Sequence, residues 1–103
     1  MKKQTQPKDF TLNVLRVLAL DGRLTTVEMI PSLKKIMKMY RKDKLPFRGT
    51  QTKFDKAFHN FINTRDYHLI QNNKSLVEFS PTAAGTYIMS ITAYGKEFLK
   101  NNG

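Results

Sequence analysis

The chain has 103 residues, eighteen of them lysine or arginine against eight acidic, for a formal net charge of +10. That length gives one small domain with a single core. With no cysteine it has no disulfide or thiolate metal site, and no apolar run approaches the length of a membrane span.

The first residues, Met1-Lys2-Lys3-Gln4-Thr5-Gln6-Pro7-Lys8, are basic and lead into no signal-peptide core. They read as a flexible basic arm over residues 1–8, ahead of a single domain over residues 9–100. The spacing then predicts a first helix from residue 9 or 10 to residue 20. Its one polar stripe is Asp9, Asn13 and Arg16, so the helix should be central to the core. Asp21-Gly22 ends it. Thr25-Thr26-Val27-Glu28 matches a capping box and starts a second helix, with a kink or restart expected at Pro31. Leu33, Ile36, Met37 and Tyr40 continue its apolar spacing, with Lys34, Lys35 and Lys38 toward solvent. A cationic loop over residues 41–49 follows.

The third helix is the clearest. Phe54, Ala57, Phe58, Phe61 and Ile62 fall on one continuous apolar face, and Thr50 or Thr52 can cap it. At about 100° per residue the opposite face is Thr52, Lys56, His59, Asn60 and Asn63, with Lys53 beside it. Beyond it the pattern becomes strand-like. Tyr67-His68-Leu69-Ile70 leads into a turn at Asn72-Asn73-Lys74, and residues 75–80 and 86–91 are both β-prone. Thr92 should cap a short last helix carrying Tyr94, Phe98 and Leu99. The fold class is α+β: three helices, a hairpin and a short final helix.

Charge is not spread evenly over these elements. Residues 34–56 hold nine of the basic residues and only Asp43 and Asp55 in opposition, a net +7. Such a field attracts a polyanion, and its helix–loop–helix setting favours duplex DNA over a membrane surface.

Three helices followed by a β-hairpin, the third helix polar outside, resembles a winged helix-turn-helix. The likeness is most specific in Tyr87-Ile88-Met89-Ser90-Ile91-Thr92-Ala93-Tyr94-Gly95-Lys96-Glu97-Phe98-Leu99. A strand running into Ile-Thr-x-x-Gly-x-x-Phe-Leu is similar to the end of many winged-helix regulators. Its physical sense is a Thr92 cap and a glycine that lets the last helix pack closely on a strand. Across nearly the whole chain the order also resembles the N-terminal winged-helix domain of Mrr-type restriction proteins. The matching pieces are residues 15–22, the cap at Thr25 and Glu28, and residues 54–62 followed by Tyr67-His68-Leu69-Ile70. The resemblance implies a third helix docked in the major groove and a hairpin wing on backbone or minor groove. It does not extend to cleavage. The nuclease of that family uses a separate catalytic domain, and none of the eight acidic residues here has a lysine two positions downstream.

Thr52, Lys56, His59, Asn60 and Asn63 are therefore the base-reading candidates, since amides and cations can address base edges in two-pronged fashion. Taken alone, this helix favours an ordinary solvated face; the adjoining charge and the winged-helix layout reverse that. Lys34, Lys35, Lys38, Arg41, Lys42, Lys44, Arg48 and Lys53 are the phosphate candidates, which position without reading sequence. Asn72, Asn73 and Lys74 stand either at a wing tip or in a plain surface turn. His59 and His68 lack partners at ligand spacing, and no nucleophile triad or phosphate loop occurs, so neither a metal, a cofactor nor an enzymatic activity is expected. The expectation is a cytoplasmic, nucleoid-associated binder of double-stranded DNA, a small transcriptional regulator open to homodimer formation. The alternative is a winged-helix adaptor for an acidic protein partner.

Overall fold

Four phenylalanines decide where the core sits. In the computed structural model, which describes residues 5–49 and 51–102 apart from the side chains of Pro7, Lys8 and Arg48, all four are fully buried. Phe54, Phe58 and Phe61 come from one face of helix α3 (Lys53–Asn63). Phe10 ends a 3-10 turn, Pro7–Phe10, and its ring meets those of Phe54, Phe58 and Phe61 at 5.4, 5.5 and 5.4 Å between centroids. Helix α1 (Thr11–Asp21) continues from Phe10 and buries Val14, Leu15, Val17 and Leu18. As its narrow polar stripe requires, it is the central helix, packed against α2 (Thr26–Ile36), α5 (Ala93–Asn102) and strand β7 (Tyr87–Ile91). Gly22 closes it at φ +85°, its N–H donating to the Leu18 carbonyl at 2.8 Å.

The capping box that opens α2 is reciprocal. The Glu28 amide donates to Thr25 Oγ1 at 3.1 Å, and the Thr25 amide donates to Glu28 Oε1 at 3.0 Å. The helix then runs uninterrupted through Pro31, with no restart. The carbonyl that loses its donor belongs to Val27, which is exposed, so water can serve it. The helix is shorter than its apolar spacing suggests: it stops at Ile36, and Met37 is extended at φ −93°, ψ 144°. Tyr40 and Lys38 therefore lie beyond it.

A buried carboxylate accounts for this early exit. Asp43 is 1% exposed and accepts from the Tyr40 amide at 2.9 Å, the Thr5 amide at 2.7 Å and the Thr5 hydroxyl at 2.7 Å. These bonds draw residues 40–43 into a 3-10 turn, Arg41–Lys44, in place of more helix. They also fix the N-terminal segment. Thr5 is buried, so packing reaches ahead of residue 9 into the expected arm; residues 1–4 lie outside the described residues. Asp43→Ala would strand three donors, and we expect it to destabilise the fold by about 3 kcal/mol. Thermal denaturation monitored by circular dichroism checks this; a loss under about 1 kcal/mol would contradict it.

The expected cationic loop is partly a hairpin, with β2 (Pro46–Arg48) paired to β3 (Gln51–Thr52). After α3 comes a further correction. Tyr67 and His68 are not strand but belong to a helical turn, α4 (Arg65–His68), closed by the Leu69 amide on the Arg65 carbonyl at 2.7 Å. Only Leu69 of that stretch needs burial, and Tyr67 is left 84% exposed, so one-sided strand packing has nothing to gain. Extended structure starts at β4 (Ile70–Gln71), which turns back to β5 (Lys74–Ser75) through Asn72 and Asn73 at φ 52° and 62°, the two positive values of a type I′ turn.

The main sheet is antiparallel with order β1-β7-β6, from β1 (Arg23–Thr25) and β6 (Val77–Pro81). Met89 pairs with Phe79 on one side and Leu24 on the other, and is fully buried. The architecture is α+β. Among the described residues, no helix is long and apolar enough to cross a membrane.

Candidate nucleic-acid interface

Because the phenylalanines of α3 are turned into the core, the remaining positions of that helix must face outward. Lys56, His59, Asn60 and Asn63 are all exposed on this one surface. Thr52 is only half-exposed. Its hydroxyl donates to the Asp55 carboxylate at 3.2 Å and accepts from the Asp55 amide at 3.4 Å, so it is the N-cap of the helix.

Three contacts hold α2 and the cationic connection after it against the start of α3. The Lys53 amide donates to the Leu45 carbonyl at 2.9 Å, Lys34 Nζ lies 3.5 Å from Asp55 Oδ1, and Lys56 Nζ stands 4.4 Å from the centre of the Phe47 ring. Lys34 also sits 5.8 Å from the Phe54 ring centre. Lys34 is thus already committed to an ion pair. Lys35 is exposed on α2, and Lys38 lies over the Tyr40 ring at 5.4 Å. Arg41 and Lys44 project from the 3-10 turn, with Lys42 and Lys53 half-buried. Asp43 sits in the middle of this group but turns inward, so its carboxylate is spent on Thr5 and Tyr40. The Arg48 side chain lies outside the described residues.

Two side chains near the helix, one polar and one aromatic, were not picked out by its periodicity. Gln51 on β3 brings its Nε2 to 3.5 Å from His59 Nε2, and Phe47 on β2 underlies Lys56. The signal for both was Gly49 between two short β-prone stretches. Gly49 adopts φ +56° at the hairpin turn.

At the other end of α3, Arg65 donates to the Ile62 carbonyl at 2.9 Å and lays its guanidinium over the Phe79 and Tyr87 rings, at 4.9 and 5.1 Å. The long hairpin β6–β7 is thereby pinned beside the C-terminal end of the helix. The turn of that hairpin spans residues 82–86, where the Thr82 and Thr86 hydroxyls share a 2.9 Å hydrogen bond. Asn72, Asn73 and Lys74 are therefore not at its tip. They form the separate short turn, tied to α5 by Asn72 Nδ2 on the Tyr94 hydroxyl at 3.1 Å and Lys74 over the Tyr94 ring at 5.3 Å. His68 stacks on Phe61 at 5.4 Å, and no cluster of three or more His, Asp or Glu among the described residues is arranged to hold a metal ion.

Comparison with protein families, with curated proteins and with solved structures returns no match.

Proposed function

We propose that the chain is a winged helix that binds double-stranded DNA, acting as a small transcriptional regulator with α3 in the major groove. The observation that carries this reading is the exposed face of Lys56, His59, Asn60 and Asn63, with a strongly cationic connection fastened against its start. Asn60 and Asn63 suit adenine edges and Lys56 a guanine or a phosphate, while Lys35, Lys38, Arg41 and Lys44 suit the flanking backbone. The hairpin beside Arg65 would take the place of the wing. Its turn carries no charge, so it would offer hydroxyls and amides, and most of the salt-dependent grip would fall on the other side of α3.

A salt titration of binding to duplex DNA tests the proposal. Neutralising about five phosphates should give a log–log slope near −4.5. Lys56→Ala should weaken binding to every sequence, and Asn60→Ala should narrow the gap between the preferred duplex and a scrambled one. A flat slope, or no binding at low salt, would remove the reading.

A second reading, an adaptor for another protein, has one specific observation in its favour. Tyr67, 84% exposed, lies next in the chain to Asp66, which with Ile70, Glu78 and Phe79 lines a groove between α4 and the outer edge of β6. A partner retained after nuclease treatment, together with loss of that partner in Tyr67→Ala, would favour it over the first.

A further inference from the structure

Strand β6 is an edge of the main sheet, paired with β7 on one side and, among the described residues, with no strand on the other. The two ends of that ladder decide which of its backbone groups face the open side. The Thr92 amide donates to the Leu76 carbonyl at 3.1 Å, and the Thr82 amide to the Thr86 carbonyl at 2.9 Å. By the register between them Glu78 and Ser80 bond to β7, so Val77 and Phe79 turn amide and carbonyl outward. Pro81 is next in that alternation and has no N–H to present, which suits the open side of an edge and ends the row of donors. An edge of this kind is a template for another strand unless it is covered. Here α4 and the start of β4 stand off from it, leaving a groove of about 510 Å³.

The groove is acidic on a basic protein. Asp66 and Glu78 both line it, both are exposed, and neither has a hydrogen-bond or ion-pair partner among the described residues. Arg65 lines it too, but its guanidinium is held over the Phe79 and Tyr87 rings and on the Ile62 carbonyl. Leu69 and Ile70 add an apolar patch. Because strand side chains alternate, Val77 and Phe79 share the sheet face of buried Met89, and Glu78 lies on the opposite face with Ser90. A strand laid along the edge would set one alternate row of side chains beside Val77 and Phe79 and the other beside Glu78.

We propose that the outer edge of β6 takes an extended peptide segment as a fourth strand, and that the segment alternates lysine or arginine with apolar residues. The outward amides and carbonyls of Val77 and Phe79 hold its backbone, its apolar row packs beside Phe79, and its cations meet Glu78 and Asp66. A second copy of this chain adding its own β6 would bring a further Asp66 and Glu78 to the same groove, like charge against like, so a separate basic segment is the better occupant. The proposal stands apart from the DNA-binding reading and gives the groove of the second reading a docking mode and a partner chemistry.

The probe is a short labelled peptide of alternating lysine and valine, read by fluorescence anisotropy on the full chain at physiological salt. A peptide of the same composition, with its lysines and valines in two blocks, should bind about tenfold more weakly. Methylating one alternate set of backbone amides should also weaken binding about tenfold or more, the loss of two hydrogen bonds, while methylating the other set leaves it unchanged. Glu78→Lys should weaken it about tenfold, whereas Glu97→Lys, the same charge change at an exposed site on α5, should not.

Equal binding of the alternating and blocked peptides, indifference to methylation of either set, or equal loss in the two glutamate variants reduces the contact to charge attraction and overturns the proposal. So does no binding at all. A wild-type dimer in sedimentation that the peptide fails to dissociate gives the edge to a second copy, and overturns it as well. Each of these results leaves duplex binding to stand or fall on its own salt titration.

Discussion

Phe10→Ala is expected to destabilise the domain by about 4 kcal/mol, the size seen for deleting a fully buried aromatic ring. The ring is fully buried and touches three others, each such pair adding to the loss beyond simple burial. A single domain of this length has roughly 5–10 kcal/mol in all, so most of its margin disappears. The midpoint of thermal unfolding should fall by about 20 °C. Phe10→Leu, which refills most of the space, should cost less than half as much. The effect reaches the candidate interface, because Phe10 braces the inner side of the helix whose outer side carries Lys56, Asn60 and Asn63. A Phe10→Ala protein that unfolds within a few degrees of wild type would show that these four rings are not the centre of the core.

How far the sequence disclosed this arrangement depended on whether each signal was local. The buried face of α3 was readable, because five apolar side chains at helical spacing fix it; on the other side Thr52 is held as the cap. The cap of α2 was equally plain, since Thr25 and Glu28 need only each other. Asp43 was opaque. Among lysines it reads as a surface acid, and its burial depends on Thr5, thirty-eight positions away. The end of α2 was misjudged for the same reason, as Met37 and Tyr40 keep helical spacing but Asp43 offers Tyr40 a competing bond. The turn at Asn72 and Asn73 was legible as turn chemistry. Which hairpin joins the main sheet was not, because that is settled by pairing of β7 with β1, some sixty residues apart in the chain. Nothing local marked Phe47 for the surface, where it sits at a register shift between β2 and β3.

The last helix provides the second large expected effect. Gly95→Ala should destabilise the protein by about 3 kcal/mol, although alanine is the better helix former by about 1 kcal/mol. The sign is decided by what a methyl group would meet. A Cβ on Gly95 overlaps the Leu76 carbonyl oxygen and lies 2.9 Å from Ile91 Cγ1. The isoleucine can turn aside, but the carbonyl cannot easily do so. It accepts from the Thr92 amide and the Thr92 hydroxyl, each at 3.1 Å, and that same hydroxyl accepts from the Gly95 amide at 2.9 Å. Moving Leu76 away would therefore loosen the cap of α5 and the approach to β6 together, and overpacking against backbone typically costs about 1–3 kcal/mol even without such losses. Thr92→Val, which keeps the shape but removes the hydroxyl, should cost about 1–2 kcal/mol by itself. Because both changes act on one junction, the double variant should lose less than the sum of the two. Urea unfolding of the four proteins measures the coupling. Strict additivity, or a Gly95→Ala protein as stable as wild type, would mean that α5 is free to shift on the strands and that the glycine is not what seats it.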